Sequence, residues 1–223
     1  MFLLCISDIH GHLEALTTVL EAFKDRNVHR LLVAGDLIFP GPHPFETWKR
    51  LCAANAVMVQ GVTDRALATL NLTSLKAMTS HEQQRLERMQ TIRKELGQLI
   101  LERLKRLPTS VRIPLESGGD LLLVHGAPAD PMEPMTHDMT DEELLPLLGE
   151  ESAEVVVCGM SHVPFDRTVK GTRIINVGSV GEAPHFNGEE YTPIAHATWI
   201  ESTALGLSVE HITIPSLSRP KSE

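Results

Sequence analysis

Short apolar runs alternate with helical stripes along the N-terminal part of the chain. Phe2 to Ile6 reads as a buried strand. Leu13, Leu16, Leu20 and Phe23 recur at helical spacing and predict an amphipathic helix over 12–24. Leu31 to Ala34 predicts a second strand, Phe45 to Ala54 a second helix, and Ala56 to Val59 a third strand. The order β-α-β-α-β favours parallel strands joined by right-handed crossovers. Residues 65–80 are small and polar, with Leu at irregular spacing, and predict no firm element.

From His81 to Leu107 the pattern turns helical. Leu86, Met89, Ile92, Leu96, Leu99, Ile100 and Leu104 form its stripe, and Gly97 is placed to weaken or break it. Val111–Leu115 and Leu121–Val124 read as a hairpin around Ser117-Gly118-Gly119-Asp120. A Pro- and Met-rich loop covers 128–137. Thr140 and Glu143 then form a capping box for a helix through Leu148. Val155–Cys158 is the next strand. Phe165–Val169 and Thr172–Val177 pair about Lys170-Gly171, and 193–200 and 205–214 are the last strands. This pattern predicts a single domain over 1–215, with a polar tail at 216–223 that frays.

Polar groups recur where these runs end, each beside a glycine: Asp8 and His10, Asp36, Thr63 and Asp64, His125, and His162. Open α/β sheets place ligand sites at the carboxyl ends of their strands, so groups remote in sequence are expected to converge. Asp8 and His10 stand at i and i+2, which share a face of a strand. Strand geometry continued past Ile6 therefore aims both at one metal ion. Asp8, Asp36, His10, His125 and His162 make a mixed oxygen and nitrogen set, suited to Mn²⁺, Fe or Zn²⁺.

Composition narrows the picture. A chain of 223 residues with 42% apolar residues can build a sizeable core, mostly aliphatic because aromatics are 4%. The formal charge of −9 argues against a broad nucleic-acid-binding face. The basic residues between Arg85 and Arg106 are interleaved with Glu87, Glu95 and Glu102, as on a solvated helix face. Cys5, Cys52 and Cys158 are scattered and odd in number. They read as buried reduced thiols of a cytoplasmic protein. No signal peptide or membrane span is expected.

Taken together, Asp8-Ile9-His10-Gly11, Gly35-Asp36, Gly61-Val62-Thr63-Asp64, His125-Gly126 and Gly159-Met160-Ser161-His162 resemble the motifs of the calcineurin-like metallophosphoesterases, in family order. Asn176 to Gly181 is similar to the family's closing N-P-G-S-V segment, with Val177 where proline is usual. The absence of a long insertion resembles the compact bacterial and archaeal branch. The resemblance implies two packed mixed β-sheets flanked by helices, an αββα sandwich. It also implies two metal ions bridged by Asp36.

For the first ion the resemblance supplies every ligand: Asp8, His10, Asp36 and His162. For the second it supplies His125 beside the bridging Asp36, while Val62 and Met160 stand where an asparagine and a histidine are usual. Neither replacement is a good donor to a hard or borderline ion. One ion held tightly and a second held weakly or not at all is therefore expected, unless His12, His43 or His185 fills the gap. Thr63 occupies the position of the usual acid histidine, which leaves the catalytic acid unassigned.

The expected activity is hydrolysis of a small phosphodiester or nucleotide-type substrate, with His125 touching substrate phosphate or a transient second ion. The alternative is a non-catalytic phosphate- or nucleotide-binding regulator on a degenerate phosphoesterase scaffold. A small phosphorylated molecule is the expected partner, with neither nucleic acid nor membrane, and the oligomeric state is left open. The stretch Glu182–Tyr191 is expected to help shape the mouth of the pocket.

Overall fold

The structure is a computed structural model and describes residues 1–150, 153–183 and 193–215. The 216–223 tail, His185 and most of the Glu182–Tyr191 stretch lie outside the described residues.

Strands β1 (Phe2–Ile6), β2 (Arg30–Val33) and β3 (Val57–Met58) alternate with helices α1 (Leu13–Ala22) and α2 (Pro44–Ala53). β1 pairs parallel with β2, and β2 with β3, as the alternation predicts. Helices α3 (Val62–Thr69) and α4 (Ser80–Lys105) follow, then β4 (Ser110–Pro114), β5 (Asp120–Val124), α5 (Asp141–Leu148), β6 (Val155–Cys158), β7 (Phe165–Val169) and β8 (Thr172–Asn176). The chain returns through β9 (Ile194–Thr203) and β10 (Gly206–Pro215). β9 lies antiparallel beside β1, so one sheet runs β10-β9-β1-β2-β3 and the other β4-β5-β6-β8-β7.

Side-chain alternation explains the layers. Leu4 and Ile6 of β1 face a core with Leu16, Val19, Leu51, Leu67 and Ile92 from α1 to α4. Leu3 and Cys5, their neighbours in sequence, face the other way, into a core shared with Leu121, Leu123, Val155, Val157 and Ile175 of the second sheet. In turn Leu122, Val124, Val156 and Cys158 face Leu144 and Leu148 of α5. Period-2 alternation thus lets each central strand serve two apolar layers. The result is helices, sheet, sheet and helix, the expected sandwich.

Three local expectations need correction. The 65–80 stretch predicts no firm element from its sequence, but its start belongs to α3. Only Leu67 and Asp64 of that helix are buried, so it carries no apolar stripe. Its N-terminus is held because the Asp64 carboxylate accepts the Gly61 amide at 3.0 Å. Cys52 is exposed, while Cys5 and Cys158 are buried. Burial pushes both buried thiols up, Cys158 to about 12, so they are inert. Finally, β1 stops at Ile6, and Asp8 and His10 have φ of 52° and 50°, outside strand geometry.

Gly97 breaks α4 as expected, with φ 71° and ψ 167°. No helix among the described residues is long and apolar enough to cross a membrane.

Candidate metal centre

The ladder between β1 and β2 continues beyond both strands. Asp8 N–H donates to Gly35 O at 3.1 Å, His10 N–H to Asp36 O at 2.9 Å, and Gly11 N–H to Leu37 O at 3.0 Å. These bonds bring the two loop segments side by side. The left-handed backbone at Asp8, His10 and Asp36 then turns their side chains into a common hollow. The second sheet delivers its share from the ends of β5 and β6. Gly159 N–H donates to His125 O at 3.0 Å, and Met160 N–H to Asp8 Oδ2 at 2.9 Å.

Close approach requires glycine here. A Cβ at Gly159 would lie 2.0 Å from Ser7 Oγ and 2.5 Å from Asp8 Oδ2. The closing segment ties the sheets together. Asn176 Nδ2 donates to Gly159 O at 2.6 Å, and Ser179 Oγ donates to Asp8 O at 2.8 Å. Val177, where proline is usual, donates its N–H to Cys158 O at 2.9 Å, a ladder bond proline cannot make.

Two donor groups result. Asp8, His10 and His162 present ligand atoms within 4.8 Å of one another, and so do Asp8, Asp36 and His125. All five sequence-predicted residues are therefore brought together, Asp8 belonging to both groups. His10 Nδ1 faces Phe39 O at 2.6 Å, His125 Nδ1 faces Ala34 O at 2.6 Å, and His162 Nδ1 faces Glu182 O at 3.2 Å. A carbonyl only accepts, so each Nδ1 carries a proton, and in its neutral form each ring turns a lone pair inward from Nε2.

The inward atoms lack partners of their own. His10 Nε2 and His162 Nε2 stand 3.3 Å apart. Asp8 Oδ1, 3.2 Å from His162 Nε2, and His125 Nε2, 3.5 Å from Asp36 Oδ1, are buried without a hydrogen-bond partner. Facing lone pairs and an orphaned buried carboxylate oxygen repel one another unless a cation lies between them. The residues therefore fit a metal ion.

The charges respond to this crowding. Burial works to raise the Asp8 carboxyl. The close approach of His162 and the positive charge that His125, His162 and His10 take up when protonated outweigh it and hold Asp8 below the ordinary value. Burial works to lower His125 and His162, but Asp36 and Asp8 raise His125, and Asp8 and Glu182 raise His162. Asp64 is pushed up to about 7 by burial and by Asp36. Its oxygens accept the Gly61 and Leu37 amides, each at 3.0 Å, so it braces the site from below.

On the second group, Thr63 N–H donates to Asp36 Oδ1 at 2.8 Å, and the Thr63 hydroxyl is buried without a partner. Val62 opens α3, and the Met160 sulfur lies against Gly126. His12 and His43 do not join this group. His12, lowered by burial, lies within electrostatic reach of Glu182, His10 and His43, beside the first group instead. Sequence reasoning did not single out Glu182, which belongs to neither group but whose Oε2 lies 3.7 Å from His10 Nε2. The available signal was its place as the carboxylate directly after the closing segment.

Comparison with known proteins bears on the family and the fold. The calcineurin-like phosphoesterase superfamily domain matches residues 1–196. An uncharacterized protein of Methanocaldococcus jannaschii is 25% identical over 177 residues, covering 78% of this chain and 68% of its own. A hypothetical protein from Pyrococcus horikoshii superposes with a TM-score of 0.76 at 19% identity, covering 96% of this chain and 88% of its own. A metallophosphoesterase from Sphaerobacter thermophilus gives 0.71 at 23% identity, covering 96% and 89%. These two structures share the fold.

Proposed function

This chain belongs to the calcineurin-like phosphoesterase superfamily, and on that premise we propose that it hydrolyses a small phosphodiester or nucleotide-type substrate around one well-held cation. The observation that carries this reading is the facing pair of Nε2 atoms on His10 and His162, 3.3 Å apart, beside the unpartnered Asp8 Oδ1. Asp8, His10, His162 and Asp36 would hold the ion. Mn²⁺, Fe or Zn²⁺ suits such a mixed set. When bound, the ion supplies positive charge to the phosphoryl oxygens and lowers the pKa of water.

The chain's own groups do the rest. Carbonyls of Phe39, Ala34 and Glu182 hold the imidazole protons on Nδ1 and so keep every Nε2 ready to donate a lone pair. The Thr63 amide fixes Asp36 between the two groups. His125, poorly supplied with partner ligands, is free to touch substrate phosphate or a transient second ion. Thr63, at the position of the usual acid, has no acidic proton to give, so the leaving oxygen takes its proton from water. The net charge of −9 disfavours polynucleotide substrates.

The test is Mn²⁺-dependent turnover of an activated aryl phosphodiester by the full chain. Turnover is expected to fall at least ~100-fold in His10→Ala. Equal rates in both proteins would reject the assignment. A second reading, phosphate or nucleotide binding without turnover, is favoured by one observation: Val62 and Met160 both lack a hard donor. It predicts nucleotide binding by the wild type and no turnover under the same conditions.

A further inference from the structure

Glu182 has no partner that explains it. No Lys or Arg lies within ion-pair distance of its carboxylate among the described residues. What surrounds it is imidazole. His10 Nε2 is 3.7 Å from its Oε2, and His12 and His162 both feel its charge. At 3.7 Å the approach to His10 is too long for a hydrogen bond. His10 carries its proton on the opposite nitrogen, against Phe39 O. A carboxylate oxygen thus faces an imidazole lone pair, the same unresolved contact that marks the other donors.

The backbone keeps Glu182 there. Gly181 N–H donates to Asp8 O at 2.9 Å, Glu182 N–H donates to Ser179 Oγ at 2.8 Å, and that hydroxyl donates to Asp8 O. A Cβ at Gly181 would fall 2.1 Å from Ile9 O, so the turn passes as close to the Asp8 loop as a chain can. The Glu182 carbonyl is the same one that orients His162. One residue therefore sets a ligand ring with its main chain and faces the hollow with its side chain.

We infer that Glu182 is a further ligand of the first cation, closing the Asp8–His10–His162 group from the solvent side. The inference rests on the reading that this group holds a cation. Bonds of about 2.1 Å place neighbouring ligand atoms about 3.0–3.4 Å apart in octahedral or tetrahedral sites. The separations here are 3.2 Å for His162 to Asp8, 3.3 Å for His10 to His162, and 3.7 Å for His10 to Asp8 and to Glu182. Glu182 thus stands from His10 as Asp8 does, and because it is outside the set of atoms within 4.8 Å of one another, a turn of its exposed side chain is what brings it onto the ion. A third carboxylate beside Asp8 and Asp36 adds hard oxygen and negative charge, which favours Mn²⁺ or Fe²⁺ over softer ions. The strengthened first group offsets the donors missing around His125, and the centre is organised around a single ion.

The experiment titrates the full chain with Mn²⁺ alone and follows free Mn²⁺ by electron paramagnetic resonance, so it reads binding and not turnover. Wild type, Glu182→Ala, Glu182→Gln and His10→Ala are compared. Both Glu182 variants are expected to weaken the tight Mn²⁺ Kd at least ~10-fold, with stoichiometry at or below one ion per chain. The Glu182 side chain is 39% exposed, so the variants keep the cation-free melting temperature of the wild type. An unchanged Kd in both Glu182 variants, with binding lost in His10→Ala, overturns this inference and leaves the proposed function standing. Wild type and His10→Ala binding alike would overturn both.

Discussion

Asp8, His10, Asp36, Met160 and His162 share a backbone state that L side chains rarely adopt, with φ between 50° and 68°. Only Asn55 and Lys170 join them among the described non-glycine residues. Strain concentrated on the donors and the residue beside them points to function. Titration should reveal the same crowding. Asp64 is raised from 3.8 to about 7, so between those values the folded state holds more protons than the unfolded one. Its contribution to stability falls as pH rises through that window. His125 and His162 are also raised, and the stability they confer is lost as pH climbs through their folded values. Asp8 is lowered, so its contribution is constant above the ordinary carboxylate range, and His12 alone among the site's groups runs the other way. The urea midpoint of the cation-free protein is therefore expected to fall from about pH 6 to about pH 8. Excess Mn²⁺ should flatten that fall, because ligands surrender protons to bind. A midpoint that rises with pH in the absence of cation would contradict this account. Glycine spacing gives a second residue-scale prediction. A Cβ at Gly61 would lie 2.1 Å from Asp36 Oδ1 and 2.2 Å from Asp36 N. Gly61→Ala should cost about 1–3 kcal/mol in urea denaturation and weaken Mn²⁺ binding together. Stability lost with binding intact would show that Asp36 tolerates the shift.

The elements differ in how openly the chain announces them. Strands that serve two cores carry unbroken apolar runs, such as Leu121 to Val124, and are easy to find. Helix α5 declares itself through Thr140 and Glu143, whose capping bonds form as predicted. Helix α3 does not, because its place is set by Asp64 reaching back to Gly61 and across to Leu37, a contact 27 residues away in sequence. The convergence of Asp8, Asp36, His125 and His162 was legible as repeated strand ends. The means of convergence was not, because it is left-handed backbone and not strand alternation. Glu182 stayed hidden because a lone glutamate in a loop has no period to betray it. Helix α4 offers a test at this scale. Gly97 sits at φ 71° and ψ 167°, a region open almost only to glycine, and a Cβ there meets nothing within 4 Å. Gly97→Ala should therefore cost about 1–3 kcal/mol through the backbone alone, leaving Mn²⁺ affinity unchanged. Increased helicity with no loss of stability would mean that the break is dispensable.

At the scale of the whole molecule, the two sheets meet so that two groups of three donors lie side by side and share Asp8. The first group draws on the loop after β1, the Met160–His162 turn and the closing segment. The second depends on Asp36, His125 and the shared Asp8, with Val62 and Met160 adding no hard donor. If that deficit alone limits the centre, donors supplied at those two positions should repair it. The scaffold is ready for both changes. Val62 is the first residue of α3, where asparagine is tolerated. Met160 holds φ 68°, a conformation in which histidine is several-fold enriched, so Met160→His imposes no new backbone strain. The Met160 amide, which secures Asp8 Oδ2, is kept by any side chain at that position. Val62→Asn with Met160→His should raise bound Mn²⁺ from one ion per chain toward two, and increase aryl diester turnover at least ~10-fold through a second charge on the phosphoryl oxygens. Two tight ions in the unaltered protein would show that other groups already complete the second position. A double variant that still binds one ion would place the limit in the spacing of the sheets and not in the donors they carry.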